Sequence, residues 1–344
     1  MAADSMLVPT NNMPERQSLL ENWLRTDCGL TDFTLKPASE DASFRRYFRV
    51  FLDDGQTRIA MDAPPDKEDS KPFVAIAERL QQIGVHAPQI HARNLDQGFL
   101  LLEDLGSQSY LDRLDDESAD RLYGDALAAL MSMQACIDPT GLPEYDRDML
   151  VAEMSLFPQW LLQQHLALEL SVTEQSMLEE AFRLLVEAAL EQPQVFVHRD
   201  YHSRNLMADV THPPGVIDFQ DAVRGPVTYD LVSLLRDCYV RWPANQVDEW
   251  AWGYYQLCVQ SGVLQDKHED DFLRWFDLMG AQRHLKAAGI FARLAHRDGK
   301  TGYLGDIPRT LGYIVELAPR REELVPLAAF VEQRVLPLCL KASA

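Results

Sequence analysis

The chain has 344 residues, 47% of them hydrophobic, and its 32 Lys and Arg against 53 Asp and Glu leave a formal charge of −21. Acidity spread along the whole length excludes nucleic acid as the main partner, because phosphate-backbone binding needs a basic patch. No stretch approaches the roughly 18 apolar residues of a membrane span, so a cytoplasmic protein with no membrane partner is expected.

Residues 1–14 are polar and contain proline, and a mobile N-terminus is expected there. Helical spacing of Leu19, Leu20, Trp23 and Leu24 predicts a helix over 15–28. Strands are predicted at 33–36, 44–51 and 57–61, with the last two joined at Asp53-Asp54-Gly55, a hairpin signal. A helix over 72–83 presents Phe73, Ile76, Ala77 and Leu80 on one face, and strands at 90–94 and 99–102 follow. Residues 15–102 therefore form a small β-rich lobe, expected to bind nucleotide, and 103–106 (Glu-Asp-Leu-Gly) form a hinge. From 107 to 344 the pattern is helical. It starts with Leu122, Ala126, Leu130, Met133 and Ile137 behind Ser118 as N-cap, and continues over 150–168, 173–191, 227–240, 245–262, 270–296 and 320–338. The fold class is α+β and bilobal. The five cysteines (Cys28, Cys136, Cys238, Cys258 and Cys339) include no Cys-x-x-Cys pair, so buried reduced thiols are expected.

Only two short strand-like pieces interrupt the helical half, and they carry the chemistry. VFVHRDYHSRNLM (195–207) places Asp200 and Asn205 on one loop, and GVIDFQD (215–221) supplies Asp218 at the end of a strand. Phosphoryl transfer needs one carboxylate to orient the accepting hydroxyl, plus hard oxygen ligands holding Mg²⁺ against the phosphates. Asp200 is the candidate base, with His198 shaping the catalytic loop, and Asn205 and Asp218 are the candidate Mg²⁺ ligands. Asp230 is expected to brace a loop or cap a helix. Arg204 and Asp221, adjoining the two motif segments, are candidates for substrate contact.

The expected nucleotide hairpin, residues 41–49, lacks glycine, and Met61 stands where a phosphate-pairing lysine is expected. Ser43, Arg45, Arg46 and Arg49 are the candidates that replace them, since guanidinium forks suit phosphate oxygens. Glu103 and Leu105 are hinge candidates for backbone pairing with adenine. On a late helix, Arg283, Lys286, Arg293 and Arg297 recur at helical spacing. They form either a solvated basic stripe or a receptor for an anionic substrate group, with Arg283, Lys286 and Arg293 as the substrate candidates.

The His198-x-Asp200-x-x-x-x-Asn205 loop and Ile217-Asp218-Phe219 resemble those of the aminoglycoside phosphotransferase and choline kinase superfamily. From about residue 15 to the C-terminus the order of lobes agrees, which implies a protein-kinase-like fold using ATP and Mg²⁺. Within it, SFRRYFRV, IAMDAPP, LLEDLG and QRHLKAAGIFARLAHRDGK resemble bacterial anomeric kinases of amino sugars. A monomer is expected, and that resemblance implies a kinase with a small-molecule sugar substrate. Phosphorylation would fall on the C1 hydroxyl of N-acetylmuramate or N-acetylglucosamine, in peptidoglycan recycling toward UDP-N-acetylmuramate. Two other readings stay open: another small-molecule kinase acting on an aminoglycoside, choline or similar amine, and a non-catalytic nucleotide-binding scaffold.

Overall fold

A computed structural model describes residues 13–40, 44–211 and 213–342. The chain divides into two compact units, one comprising residues up to Val74 with Pro88–Asp104, the other Ala75–Ala87 with residues from Leu105 onward.

In the first unit, helix α1 (Met13–Thr26) precedes strands β1 (Phe33–Glu40), β2 (Arg46–Leu52) and β3 (Thr57–Asp62). Helix α2 (Lys71–Gln82), within which the division at Val74/Ala75 falls, is followed by β4 (Ile90–Asn94) and β5 (Phe99–Glu103). The five strands form one antiparallel sheet in the order β1-β2-β3-β5-β4. Gly55, at φ +83° in the β2–β3 turn, takes the left-handed conformation that favours glycine, as the Asp-Gly signal requires.

Strand alternation sorts β2 into two faces. Phe48 and Val50 join Ala60, Phe99 and Leu101 beneath Leu20, Trp23 and Leu24 of α1, an apolar cluster closed by Trp23 against Phe99 at 5.7 Å. Arg46 shares that face and lies opposite Asp62 in register. The fully buried Asp62 carboxylate accepts from Arg46 and from Arg16 of α1. Arg49, on the other face, donates to both oxygens of Asp104 at 2.7 and 3.0 Å. Arg45 lies 3.4 Å from Glu68.

The second unit is mainly helical: α3 (Tyr110–Arg113), α4 (Ala119–Cys136), α5 (Arg147–Met154), α6 (Val172–Leu190), α7 (Tyr229–Leu235), α8 (Ala244–Gln260), α9 (Glu269–Asp298), α10 (Ile307–Leu317), α11 (Val325–Phe330) and α12 (Leu336–Ala342). The 30-residue α9 is its spine and packs against α5, α6, α7 and α10 and a π-helical stretch at Phe157–His165. Gly289 permits a close approach to the chain just before that stretch, because a Cβ there would lie 2.4 Å from the Leu156 carbonyl carbon. Four short strands complete the unit. β6 (Gln194–Val197) pairs with β9 (Val223–Pro226), and β7 (Leu206–Met207) pairs with β8 (Gly215–Val216).

Several expectations are corrected. The strand-like pieces of this half number four among the described residues, because β9 is needed to complete the ladder of β6. Ser118 makes no capping bond to α4; its hydroxyl is taken by the preceding turn, donating to Arg113 O at 2.8 Å and accepting from Asp115 N at 3.0 Å. The helix expected over 150–168 is divided, with Pro158 in the first turn of the π-helical stretch, where its missing N–H is tolerated. α10 lies where no helix was expected; its Pro308 falls in the permissive first turn. Cys136 is exposed and Cys28 half-buried; only Cys238, Cys258 and Cys339 are buried. The N-terminal residues 1–12 expected to be mobile lie outside the described residues, as does Ser43. Among the described residues no helix is long and apolar enough to cross a membrane.

Candidate active site

The apolar strand β6 (Val195, Phe196 and Val197 all buried) anchors the start of the catalytic loop in the core of the second unit. The loop then leaves regular structure, and Arg199 adopts φ +78°. Such a conformation costs a non-glycine residue on the order of 1–3 kcal/mol and persists only where surroundings impose it. Asp230 of α7 does so, accepting from His198 N at 2.6 Å and Arg199 N at 3.0 Å. The expectation of a loop brace therefore describes its geometry, and burial pushes its carboxyl up to about 7.

Asp237, just beyond α7, holds the middle of the loop by accepting from Ser203 N at 3.0 Å and Ser203 Oγ at 2.5 Å. Tyr201 ties it to α4 through its hydroxyl, which donates to Ala126 O at 2.8 Å. His198 is wholly buried, and its Nδ1 accepts from Asp200 N at 3.3 Å. Burial lowers its pKa to about 4, so the ring is a neutral part of the scaffold at neutral pH.

Two of the three oxygen-bearing side chains, those of Asn205 and Asp218, meet, and Asp200 joins them through its backbone carbonyl. Asn205 Nδ2 donates to Asp200 O at 2.9 Å and to Asp218 Oδ2 at 3.2 Å, while Gln220 Nε2 donates to Asp218 Oδ1 at 2.8 Å. Asp218, at φ +65°, is turned back toward Asn205 by the same kind of strained backbone. With its amide N–H groups spent on these two acceptors, Asn205 keeps its Oδ1 as a hard ligand beside a carboxylate. That donor set fits Mg²⁺, which takes one or two protein oxygens and completes its shell with phosphate and water. Among the described residues no cluster of three or more His, Cys, Asp or Glu suggests a softer metal.

Asp200 lines a cavity of about 140 Å³ within the second unit. Its polar wall adds His202, Tyr229, Arg283 and Lys286, and its apolar wall is Cys238, Ala287, Ile290, Phe291 and Leu294 with Tyr239 and Tyr303. Burial would raise the Asp200 pKa, but positive charge, first that of Lys286 and then those of Arg283 and Arg199, outweighs it and holds the carboxyl below the usual range. The group is ionised at neutral pH, ready to accept a hydrogen bond from a hydroxyl.

The two cations in the wall differ. Lys286 meets Glu153 at 3.0 Å and donates to Tyr229 OH at 2.8 Å. Arg283 is buried (6% exposed) and forms no ion pair among the described residues; its Nη1 donates weakly to Cys238 Sγ at 3.6 Å and its Nε has no partner. The solvated stripe is thus excluded for Arg283 and Lys286. Arg293 and Arg297 do not line the cavity, and Arg297 pairs with Asp298 at 2.9 Å. Arg204 is exposed and stacks on Tyr239 and Tyr303 at 4.2 and 5.5 Å from their centroids. Asp221 is exposed beside Gln220, 3.4 Å from its amide.

Glu103 N donates to Gln89 O at 2.8 Å, so that N–H is already engaged within the sheet unit. Leu105, in the second unit, is buried against Gly215, where a Cβ would sit 3.0 Å from Leu105 Cδ1. Met61 is fully buried in β3. Residues that sequence reasoning passed over include Glu153, Tyr229, Asp237 and Tyr239. Glu153 did carry a signal: it occupies a core position in the run Leu150, Met154, Phe157, Leu161, where a carboxylate needs a partner.

Comparison with known proteins gives this geometry a context. Residues 34–261 match the model of the phosphotransferase enzyme family, APH. Over 294 residues the chain is 50% identical to the N-acetylmuramate/N-acetylglucosamine kinase of Pseudomonas aeruginosa, covering 85% of this chain and 86% of the relative. The kinase of the same name from Pseudomonas putida is 47% identical over 300 residues, covering 87% and 88%. An ADP-bound aminoglycoside phosphotransferase, APH(2'')-Ib, superposes with a TM-score of 0.57 at 15% identity, over 86% of this chain and 97% of its own, a likeness of fold. The family match and these relatives mark a kinase-type enzyme that transfers a phosphoryl group to a hydroxyl acceptor. The chain belongs to the phosphotransferase enzyme family, within the group expected from its motifs.

Proposed function

We propose that this chain is an ATP-dependent kinase of N-acetylmuramate and N-acetylglucosamine, acting on the anomeric C1 hydroxyl and feeding the sugar 1-phosphate toward UDP-N-acetylmuramate. The names of the relatives at 47% and 50% identity support the substrate class. The observation that carries the reading is the cavity: an ionised Asp200 and a buried Arg283, which forms no ion pair among the described residues, face one space with aromatic walls.

Asp200 accepts the hydrogen bond of the attacking hydroxyl and takes its proton as the phosphoryl group is transferred. A carboxylate of low basicity suffices, because the loose transition state demands positioning more than deprotonation, and an anomeric hydroxyl is more acidic than an ordinary alcohol. Tyr239, Phe291 and Tyr303 offer ring faces to the C–H faces of the sugar. Arg283 meets the lactyl carboxylate of N-acetylmuramate. Asn205 and Asp218 would hold Mg²⁺, which when bound neutralises charge on the phosphates. On the nucleotide side the reading assigns Ser43, Arg45, Arg46, Arg49, Glu103 and Leu105, with ATP as donor.

A kinase of cationic amines is disfavoured by the same cavity, since Arg283 and Lys286 in its wall repel an ammonium group. Labelled ATP offered with N-acetylmuramate, N-acetylglucosamine, choline and kanamycin separates the two. Transfer to the sugars alone is expected, and transfer to the amines alone would overturn the proposal.

A further inference from the structure

Glu153 of α5 lies where the cavity wall and the catalytic loop meet. Its buried carboxylate accepts from Lys286 Nζ at 3.0 Å, from Arg199 Nη2 at 2.5 Å and from the Tyr145 hydroxyl. Lys286 lines the cavity with Asp200, and Arg199 is the residue before Asp200, with its backbone in the left-handed region. Tyr229 and Tyr145, in edge contact at 5.2 Å, close the group, with Tyr229 accepting from Lys286. One anion thus serves two cations, the buried Lys286 that shares the cavity with the proposed base and the half-buried Arg199 that precedes it in sequence.

We propose that Glu153 is a positioning residue for phosphoryl transfer. By holding Lys286 and Arg199 it sets the cavity wall and the loop in register. By pairing with them it offsets part of their charge and leaves the Asp200 carboxylate to the acceptor hydroxyl. Cations deprived of their counter-ion turn to a remaining anion, and the charges of both Lys286 and Arg199 already act on Asp200. The inference rests on Asp200 as the group that orients the acceptor, and not on which sugar is the acceptor.

Charge balance provides the test, read as kcat and KM on whichever acceptor the wild-type enzyme turns over. Glu153→Gln is expected to lower kcat on the order of a hundredfold, the scale of a small misplacement of reacting groups, with the KM for ATP unchanged. Glu153→Gln/Lys286→Met, which removes one cation together with its anion, is expected to recover about tenfold over Glu153→Gln, a non-additivity that loss of packing does not produce. A Glu153→Gln enzyme as fast as wild type, or a double variant no faster than Glu153→Gln, overturns the proposal. Should Glu153→Gln not fold, Glu153→Asp decides. The shorter carboxylate cannot span both cations, so kcat must fall with the KM for ATP unchanged, and wild-type kcat overturns the proposal. A wild-type enzyme that phosphorylates neither sugar defeats the proposed function and leaves this test to be scored on another acceptor.

Discussion

The arginines of the small sheet and the cations of α9 both stand out in an acidic chain, yet they differ in what compensates them. Arg46 shares Asp62 with Arg16, Arg49 has both oxygens of Asp104, and Arg45 meets Glu68. On α9, Lys286 has Glu153, whereas Arg283 is buried without an ion pair among the described residues. A buried guanidinium that forms no ion pair at contact distance keeps donor capacity for an anion that arrives with a ligand, even with the charges of Asp237 and Asp200 acting on it. The sheet arginines are held by carboxylates; of the two cations in the cavity wall, Lys286 is paired and Arg283 is not.

The largest effect expected concerns the anion opposite Arg283. Asp200→Asn should lower kcat by about 10² to 10⁴ while calorimetry shows nucleotide binding retained. Unchanged turnover would make Asp200 structural and remove the contrast. Next, Arg283→Gln should raise the KM for N-acetylmuramate by about tenfold or more, the scale of a lost charged hydrogen bond, and move that for N-acetylglucosamine far less. Equal rises on the two sugars would mean that Arg283 does not read the carboxylate.

Arg49→Gln tests the other side of the comparison. Losing its paired bonds to Asp104 should lower the stability by about 1–3 kcal/mol in urea titrations. The KM for ATP should move less than Arg283→Gln moves that for N-acetylmuramate; a larger shift would make Arg49 a phosphate ligand despite its partner. The smallest effect concerns buried groups that remain neutral. Burial lowers the pKa of His198 to about 4 and of His284 to about 3. The unfolded chain takes up these protons near the ordinary value of 6.5, so their contribution to stability is complete above that pH and is lost as the pH falls toward 4. Urea midpoints should therefore decline between pH 6.5 and 4, and His284→Asn should flatten the decline.

The loops of the candidate site were legible because their pattern is local: Asp200 and Asn205 lie five residues apart, and Asp218 follows the apolar pair Val216-Ile217 that announces it. The β2–β3 hairpin was legible for the same reason, through Gly55. Bracing of the loop was not, because Asp237 and Tyr201 act across 34 and 75 positions of sequence. The charge pattern of α9 marked the right helix, but spacing alone cannot tell a cation with a partner from one without. Glu153, 133 positions before Lys286, decides that difference (286 − 153). β9 and α10 escaped detection because a four-residue strand and a helix opening on proline leave little periodicity to read.

The central claim, phosphoryl transfer to an anomeric hydroxyl held by Asp200, is tested most directly by NMR of the product formed from ATP, Mg²⁺ and N-acetylmuramate. The account predicts a phosphorus nucleus coupled to the anomeric proton, on C1, and no such product from Asp200→Asn. Phosphate on any other hydroxyl, or the same product at undiminished rate from Asp200→Asn, would contradict it.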